Sequence, residues 1–511
     1  MVWDYDPIMK SCVIFLGLSL FLGILAPSQS LAQAGKSFPE SRPEAQGIPS
    51  DAIFSMVERF EAEIDAVHSF MIVRHGYLVA QGWWAPYAAE VPHIMHSLSK
   101  SFTSTAVGML VDAGKLSLDD RVMTFFPDDL PVEPSQQLQA MRIRELLTMN
   151  TGHRTAPRLR DHDRGWARAF LHSDIEFKPG THFQYNSAAT YMLSAIVQKV
   201  TGQRLVDYLS SRFFEPLGIS KPIWDLSPDG VNTGGWGLSV TTETIAKLGQ
   251  VYLQRGLWRG RRLLSESWID QATSKQTSNG SNPESDWEQG YGFQFWRCRH
   301  NAYRGDGAFG QFCIVMPEHE LVIAVTSGTS DMGAVMNVIW ETLLPGLSDS
   351  ALPEDRALWE ALTAKLSHLS LPPVSGESSS ALSAELAGQT FALSTNDMGV
   401  WALRFDLEGE KHQITILTDN GEETIRLGTG DYAIGRIKGA LPNAKNLGWS
   451  IGASGAWVEP NEYQAKIFFR EAPASLGYTF RFDDSGVEWT SRLNHSLTGL
   501  GRPVVVEGRR K

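Results

Sequence analysis

The sequence predicts a mixed α/β domain followed by an all-β module, and three observations carry that reading. Strand-like runs stand at both ends of residues 67–326 and a series of helical patterns lies between them. The character changes between about 346 and 381. Beyond that stretch the helical spacing disappears and short alternating runs separated by Gly, Asp and Asn take over. At 511 residues the chain is long enough for two or three domains, and an apolar content of 42% supports large cores.

Taken in order, Lys10 precedes an apolar run from Cys12 to Ala26, and Ser30-Leu31-Ala32 offers small residues for cleavage. The run is short for a membrane span. Residues 1–32 therefore read as a signal peptide, with a mature chain starting near Gln33 in the periplasm or outside the cell. Asp4 and Asp6 sit badly in a positive leader, which makes Met9 an alternative start, and an uncleaved anchor is the competing interpretation. Residues 51–66 predict a first helix. Ser69-Phe70-Met71-Ile72-Val73 and Tyr77-Leu78-Val79 predict a hairpin turning at His75-Gly76. Leu98, Phe102, Ala106, Met109, Leu110 and Ala113 recur at helical spacing, with Gly114 as the stop. Further helices are expected near 141–149, 188–200, 241–255 and 333–344. Strands are expected at 291–298, 310–316 and 320–326, the last two turning at Pro317-Glu318-His319-Glu320. These elements form one mixed domain, residues 40–347, with an antiparallel sheet flanked by helices. Residues 348–381 hold a polar helix near 353–366 and a linker, Leu371 to Ser380. Runs near 400–407, 413–417, 424–427, 464–469, 478–482 and 487–489 make residues 382–511 a β barrel or sandwich.

The net charge of −12 argues against a nucleic-acid partner. Arg158, Arg160 and Arg164, interleaved with Asp161 and Asp163, read as a mixed surface loop. Cys298 and Cys313 suit either a disulfide or two buried free thiols. No metal-ligand spacing is convincing, His93-Ile94-Met95-His96 included, and no cofactor is expected.

Chemistry concentrates in three segments. Ser97-Leu98-Ser99-Lys100 places a hydroxyl at the mouth of a helix and an amine one turn on, on the same face. A desolvated lysine can take a serine's proton, and a helix N-terminus points N–H groups at a developing oxyanion. Roughly one Ser-x-x-Lys is expected by chance in such a chain, and Ser97 capping a helix beside a solvated Lys100 is the plain structural alternative. Tyr185, in Phe183-Gln184-Tyr185-Asn186-Ser187, would be held rigidly before the next helix, its phenol lowered by a lysine ammonium. Alternatively it is a core aromatic and Ser187 a helix cap. Gly307-Ala308-Phe309-Gly310-Gln311 opens a strand whose edge could approach a ligand, or is a plain hairpin turn. Trp83, Trp84, Trp236, Trp287 and Trp296 are candidates for an apolar wall, ordinary packing being the alternative for each.

Together, in this order, the three segments resemble the serine beta-lactamase and penicillin-binding-protein superfamily. The nearest likeness is to its class C-like branch, with family VIII-type esterases and 6-aminohexanoate-dimer hydrolases. Ile143 to Gly152, Gly234-Gly235-Trp236-Gly237-Leu238-Ser239 and Tyr291 to Trp296 resemble further recurring segments. The resemblance covers about residues 40–345. It implies Ser97 as the acylated nucleophile, Lys100 as its partner and Tyr185 as the proton shuttle. Ser187 stands where class C beta-lactamases carry Asn. Ala308-Phe309-Gly310 replaces their Lys-Thr-Gly, which removes the cation that anchors a β-lactam carboxylate and favours ester or amide substrates lacking that anionic handle. The N–H groups of Ser97 and Gln311 would hold the oxyanion, with Ser187, Phe309, Gly310 and Trp236 along the substrate. A small ester, amide or short peptide is the implied partner. A D-Ala-D-Ala carboxypeptidase or D-aminopeptidase, and a non-catalytic peptide or glycan binder, are the competing functions. The β module resembles the lipocalin-like barrels appended to such hydrolases, and the sequence leaves the oligomeric state open.

Overall fold

A computed structural model of the chain describes residues 37–220, 222–409, 412–438, 448–495 and 503–510. The predicted targeting segment lies outside them. Among the described residues no helix is long and apolar enough to cross a membrane.

The fold is mixed α/β with antiparallel sheets. Its first eleven strands are β1 Val67–Arg74, β2 Tyr77–Trp83, β3 His93–Ile94, β4 Ile223–Trp224, β5 Leu238–Val240, β6 Leu257–Trp258, β7 Arg261–Arg262, β8 Trp296–Arg297, β9 Tyr303–Gly307, β10 Gln311–Met316 and β11 Leu321–Ser327. Six of them form the central sheet in the order β2-β1-β11-β10-β9-β8, and β3-β5-β4 form a small second sheet. The N-terminal hairpin therefore forms one end of a sheet completed by strands more than 200 residues later, as the runs at both ends of the domain predict. His75 and Gly76 both take positive φ (51° and 80°), the geometry a two-residue hairpin turn demands.

Side-chain alternation divides the core in two. Met71, Val73, Cys313, Val315, Val322 and Ala324 face a cluster that includes the helices Ser99–Asp112, Ser187–Thr201 and Thr242–Leu253. Phe70, Ile72, Phe312, Ile314, Ile323 and Val325 face the helices Ser50–Glu63 and Met332–Thr342. Both faces are covered, so β1, β10 and β11 are buried along their whole length and read as unbroken apolar runs. Cys298 and Cys313 fall in different clusters and are separate buried free thiols, so the disulfide alternative is set aside.

Two expectations need correction here. The predicted strand 291–298 survives only as Trp296–Arg297, because Gln294 turns the chain at φ 65°. Tyr303–Gly307 falls between the runs that carry Cys298 and Cys313, where the sequence predicts a Gly-containing loop, and it is a fully buried strand. Arg304 and Asp306 neutralise each other on one face of it at 2.8 Å.

Residues 390–510 contribute ten strands to a nearly closed barrel-like sheet with its own apolar core. The sequence reading found six of them and missed Thr390–Leu393, Ala433–Ile437, Trp449–Glu459 and Val504–Arg510. The predicted linker is not a free tether. Val374 N–H donates to Ser454 Oγ (3.0 Å), and Glu377 and Trp457 exchange backbone hydrogen bonds.

Gly249 lets the helix Thr242–Leu253 lie close on the sheet. A Cβ there would stand 2.5 Å from Val322 Cγ1 and 3.1 Å from Cys313 Sγ. Gly249→Val is expected to lower stability by about 1–3 kcal/mol through overpacking. Urea unfolding checks this, and an unshifted midpoint would contradict it.

Candidate active site

The site begins at β3. His93 and Ile94 pair with Val240 and Ser239, and Met95 N–H donates to Leu238 O at 2.8 Å. His96 takes φ 46°, and a 3-10 turn, His96–Leu98, leads into the helix Ser99–Asp112. Ser99 fastens this junction: its hydroxyl donates to His96 O (2.7 Å) and accepts from Leu238 N–H (3.1 Å). Ser97 makes no capping bond. Its Oγ instead accepts from Lys100 Nζ at 2.9 Å.

Lys100 is 1% exposed. Its amine also donates to Gly235 O at 2.7 Å and lies 4.8 Å over the Tyr185 ring. One hydroxyl, one carbonyl and one aromatic face thus meet the three N–H bonds of an ammonium, and among the described residues no carboxylate pairs with it. Burial brings its pKa down to about 7, with Arg160 pushing the same way and Asp306 opposing.

The Tyr185 hydroxyl acts on Ser97 at short range, and its ring stacks on Trp296 at 5.3 Å. Burial raises this phenol well above its ordinary value, and Asp306 adds to the rise. The expected lowering by a lysine ammonium is not found, because Lys100 addresses the ring face and itself sheds charge readily. Asn186, not Ser187, caps the following helix: its Oδ1 accepts from Ala188 N–H (3.0 Å) and Ala189 N–H (3.2 Å). Ser187 is the first residue of the helix, against Gly235, where a Cβ would stand 2.8 Å from Ser187 O.

The serine, lysine and tyrosine thus converge from two distant segments, with a carbonyl from a third. A family model described as Beta-lactamase matches residues 57–344. The chain belongs to the beta-lactamase family. It is a serine hydrolase of that family by descent. It is 25% identical over 335 residues to the 6-aminohexanoate-dimer hydrolase of Paenarthrobacter ureafaciens, covering 61% of this chain and 84% of that one. It is 26% identical over 299 residues to penicillin-binding protein 4 of Amycolatopsis lactamdurans, covering 50% and 77%. Among solved structures, the octameric penicillin-binding-protein homologue from Pyrococcus abyssi is 16% identical at a TM-score of 0.46, covering 89% of this chain and 98% of that one.

Within this beta-lactamase-family site, β9 is the strand that touches the Ser97 segment. A Cβ on Gly307 would stand 2.0 Å from Met95 O and 3.2 Å from Leu98 N, and one on Gly305 would meet Leu98 and Ser101 at 2.4 Å. Only glycine permits that approach. β8 pairs with Tyr303 and Arg304 alone, so the edge of β9 from Gly305 to Gly307 carries no strand partner among the described residues. Phe309 (φ 67°) and Gly310 (φ 86°) form the turn into β10. Phe309 lies between the rings of His96 (5.7 Å) and His495 (5.1 Å). Gln311 lies one strand further out, opposite Gly307, and its side chain donates to Ala308 O (3.1 Å) and Ser327 O (2.8 Å).

Of the five tryptophans, Trp296 backs Tyr185 and Trp236 follows Gly235. Trp287 covers Arg304 at 4.4 Å. Trp84 is in the core against Phe60 and Phe70, and Trp83 lies on β2 at the far edge of the sheet. These last two do not join a wall. His93 pairs with His68 (3.1 Å), and among the described residues no group of three or more His, Cys, Asp or Glu could hold a metal.

Two residues escaped the sequence reading. Gln294 accepts from Thr190 Oγ1 (2.6 Å), and its amide donates to Leu146 O and Leu147 O (3.1 and 2.8 Å). Its carbonyl accepts from Ser101 Oγ (3.0 Å), so one side chain and one carbonyl tie three segments around the site. Asp306, 7% exposed, is bound to the fully buried Arg304. Only the alternation of charge and glycine in Arg304-Gly305-Asp306-Gly307 signals it. Asp306→Ala leaves Arg304 without its carboxylate and is expected to lower stability by about 3–5 kcal/mol, read from the urea midpoint. A change under about 1 kcal/mol would show that the pair is dispensable.

Proposed function

We propose that the chain hydrolyses ester or amide bonds through an acyl-enzyme on Ser97. The observation that carries this is the contact of Ser97 Oγ with Lys100 Nζ at 2.9 Å, in a pocket dry enough to bring that amine to about 7. Near neutral pH a large fraction of Lys100 is unprotonated and its lone pair can face the serine. In the first step Ser97 Oγ attacks the carbonyl carbon while its proton passes to Lys100 Nζ. Tyr185 keeps its own proton and is suited to pass one to the leaving oxygen or nitrogen as the tetrahedral centre collapses, Lys100 resupplying it. Water then attacks the acyl carbon by the same route in reverse, releasing the acid and restoring the Ser97 hydroxyl. The Ser97 N–H and the free edge of β9 near Gly307 and Ala308 are the donors best placed for the oxyanion. The unpartnered edge at Gly305–Gly307 suits an extended substrate backbone.

Neither Gly305-Asp306-Gly307 on β9, the strand that touches the Ser97 segment, nor Ala308-Phe309-Gly310 in the turn beyond it carries a lysine, which supports esters and amides over β-lactams. Relatives include a 6-aminohexanoate-dimer hydrolase, a putative D-alanyl-D-alanine carboxypeptidase and a penicillin-binding protein, which agrees with an acyl-transfer site. We also infer export to the periplasm or beyond from the leader-like residues 1–32, and a hydrolase portion of residues 40–347 joined through 348–381 to the β module.

Ser97→Ala should abolish turnover of a p-nitrophenyl ester and labelling by a fluorophosphonate while leaving the circular-dichroism spectrum intact. Wild-type activity in that variant would end the proposal. The pH profile gives a second test. The base is the neutral amine, so kcat/KM should rise with pH through a midpoint of about 7 and then level off, because Tyr185 stays protonated well above that range. A profile that falls through pH 7 would assign the opposite protonation state to the base.

A further inference from the structure

Three consecutive strands of the barrel-like sheet, Glu462–Phe469, Ser475–Asp483 and Gly486–Leu493, pair antiparallel in unbroken register. Cross-strand partners share a face, so the wall is built of rows. The row Tyr463–Phe480–Trp489 belongs to the apolar core. The rows beside it therefore face outward. The first is Glu462–Arg481–Glu488, in which Arg481 stands between two acids and pairs with both (2.8 and 3.4 Å). The second, Gln464–Thr479–Thr490, is uncharged and rich in hydrogen-bonding groups. The third is Lys466–Gly477–Arg492.

In that third row two cations flank a position with no side chain. Their Cα atoms are about 10 Å apart across the sheet, so both long side chains can converge over the glycine. Lys466 is half-buried and Arg492 exposed, and among the described residues neither makes an ion pair. The fold does not require the glycine. Its φ is ordinary, and a Cβ there would meet nothing closer than Arg492 O at 3.9 Å. A glycine inside a strand weakens it, and one recurring reason for its presence is close approach by a ligand. The row of Arg481 shows how this wall neutralises charge: a central group of one sign between two of the other. In the row of Gly477 the two outer charges are present and the central one is missing.

The second and third rows floor a groove of about 610 Å³, walled opposite by Asp65 and Ala66 before β1 and by Gly328 after β11. That volume lies within the range of about 300–1,000 Å³ typical of small-molecule sites, and exceeds what a bare ion fills. Among the described residues Asp65 is the one acid that lines it, and it acts on Lys466 through space. His495 lines it too, held by Gly328 O.

We propose that this groove binds an anionic sugar. Its carboxylate or phosphate sits over Gly477 between Lys466 and Arg492, and its hydroxyls meet Gln464, Thr479 and Thr490. The site is separate from Ser97 and does not rest on the acyl-enzyme proposal.

Calorimetry on the full chain at low ionic strength compares glucuronate and glucose 6-phosphate with glucose and inorganic phosphate. At least one anionic sugar should bind about 10-fold or more tightly than glucose and than phosphate. Arg492→Gln and Lys466→Gln should each weaken that binding about 10-fold. Gly477→Asp supplies the missing charge from within the chain, so it should abolish binding and raise the Tm of the free protein. Gly477→Asn adds the same bulk without the charge and should bind about 10-fold more tightly than Gly477→Asp. Circular dichroism checks that each variant is folded. No binding of either anionic sugar by the wild type would overturn the site, as would binding that Arg492→Gln and Gly477→Asp leave unchanged. Phosphate binding as tightly as both anionic sugars would overturn the role given to the sugar hydroxyls. Equal loss in Gly477→Asn and Gly477→Asp would overturn the charge argument.

Discussion

The structure depends on keeping one amine out of water without giving it a carboxylate. Desolvation of a lysine disfavours its charged form, and the usual remedy is an acid in direct contact. Here the nearest acid, Asp306, is bound to Arg304 on the same face of β9, so it moderates the Lys100 amine from a distance and does not pair with it. The contacts that remain to Lys100 are neutral: a carbonyl, a hydroxyl and a ring face. They satisfy its hydrogens but offset little of the lost hydration. An amine that sheds its proton near neutrality follows from that arrangement, and so does the need for tight packing around it, since full hydration would return the proton.

Packing of that kind has to be built from backbone. The Ser97 turn is pressed between β9 on one side and the Gly234–Gly237 segment on the other. Gly305 and Gly307 allow the first approach, and Gly235 lets the second segment lie against Ser187 while its carbonyl meets Lys100. Hydroxyls then join the layers: Ser99 to Leu238, Thr103 to Gly234 (2.8 Å) and Ser101 to Gln294. Ser99 and Thr103 leave the helix Ser99–Asp112 one turn apart on one side and Ser101 leaves it on the other. The helix is buried on every side from Ser99 to Leu110, so Ser99, Ser101, Thr103, Ser104 and Thr105 are all inside. The hydroxyls of Ser99, Ser101 and Thr103 meet neighbouring backbone and not solvent.

That burial of polar groups also explains what could be read from the sequence. Apolar spacing located the hairpin Val67–Trp83, the helices and the strands Gln311–Met316 and Leu321–Ser327, because burial on a sheet imposes a period that composition cannot hide. The juxtaposition of Ser97, Lys100 and Tyr185 was legible through a joint motif, each part weak alone. What escaped was structure in which polar residues are satisfied internally. Tyr303–Gly307 looks like a loop because its charge pair closes on itself. Gln294 looks like part of a strand because its hydrogen bonds run to segments 100 and more residues away. Ser187 was taken for a cap when the adjacent Asn186 had the longer reach. In each case local pattern carries no information on a partner that only the tertiary fold supplies.

The β module shows the same logic at a larger scale. Its own core is closed, so independence would be expected, yet its contacts converge on the two segments that flank Ser97. Glu471 O accepts from Ile94 N–H (2.8 Å), the Tyr87 hydroxyl donates to Ala472 O (3.3 Å), and Ile94 packs against the apolar core of the barrel. On the other flank His495 is hydrogen-bonded to Gly328 O and lays its ring on Phe309, whose opposite side meets His96. β3 is only two residues long and could not hold the Ser97 turn by pairing with β5 alone. Held from outside by the module and from inside by Ser99 and Leu238, it becomes a rigid support. The barrel is therefore part of the wall against which the serine is set.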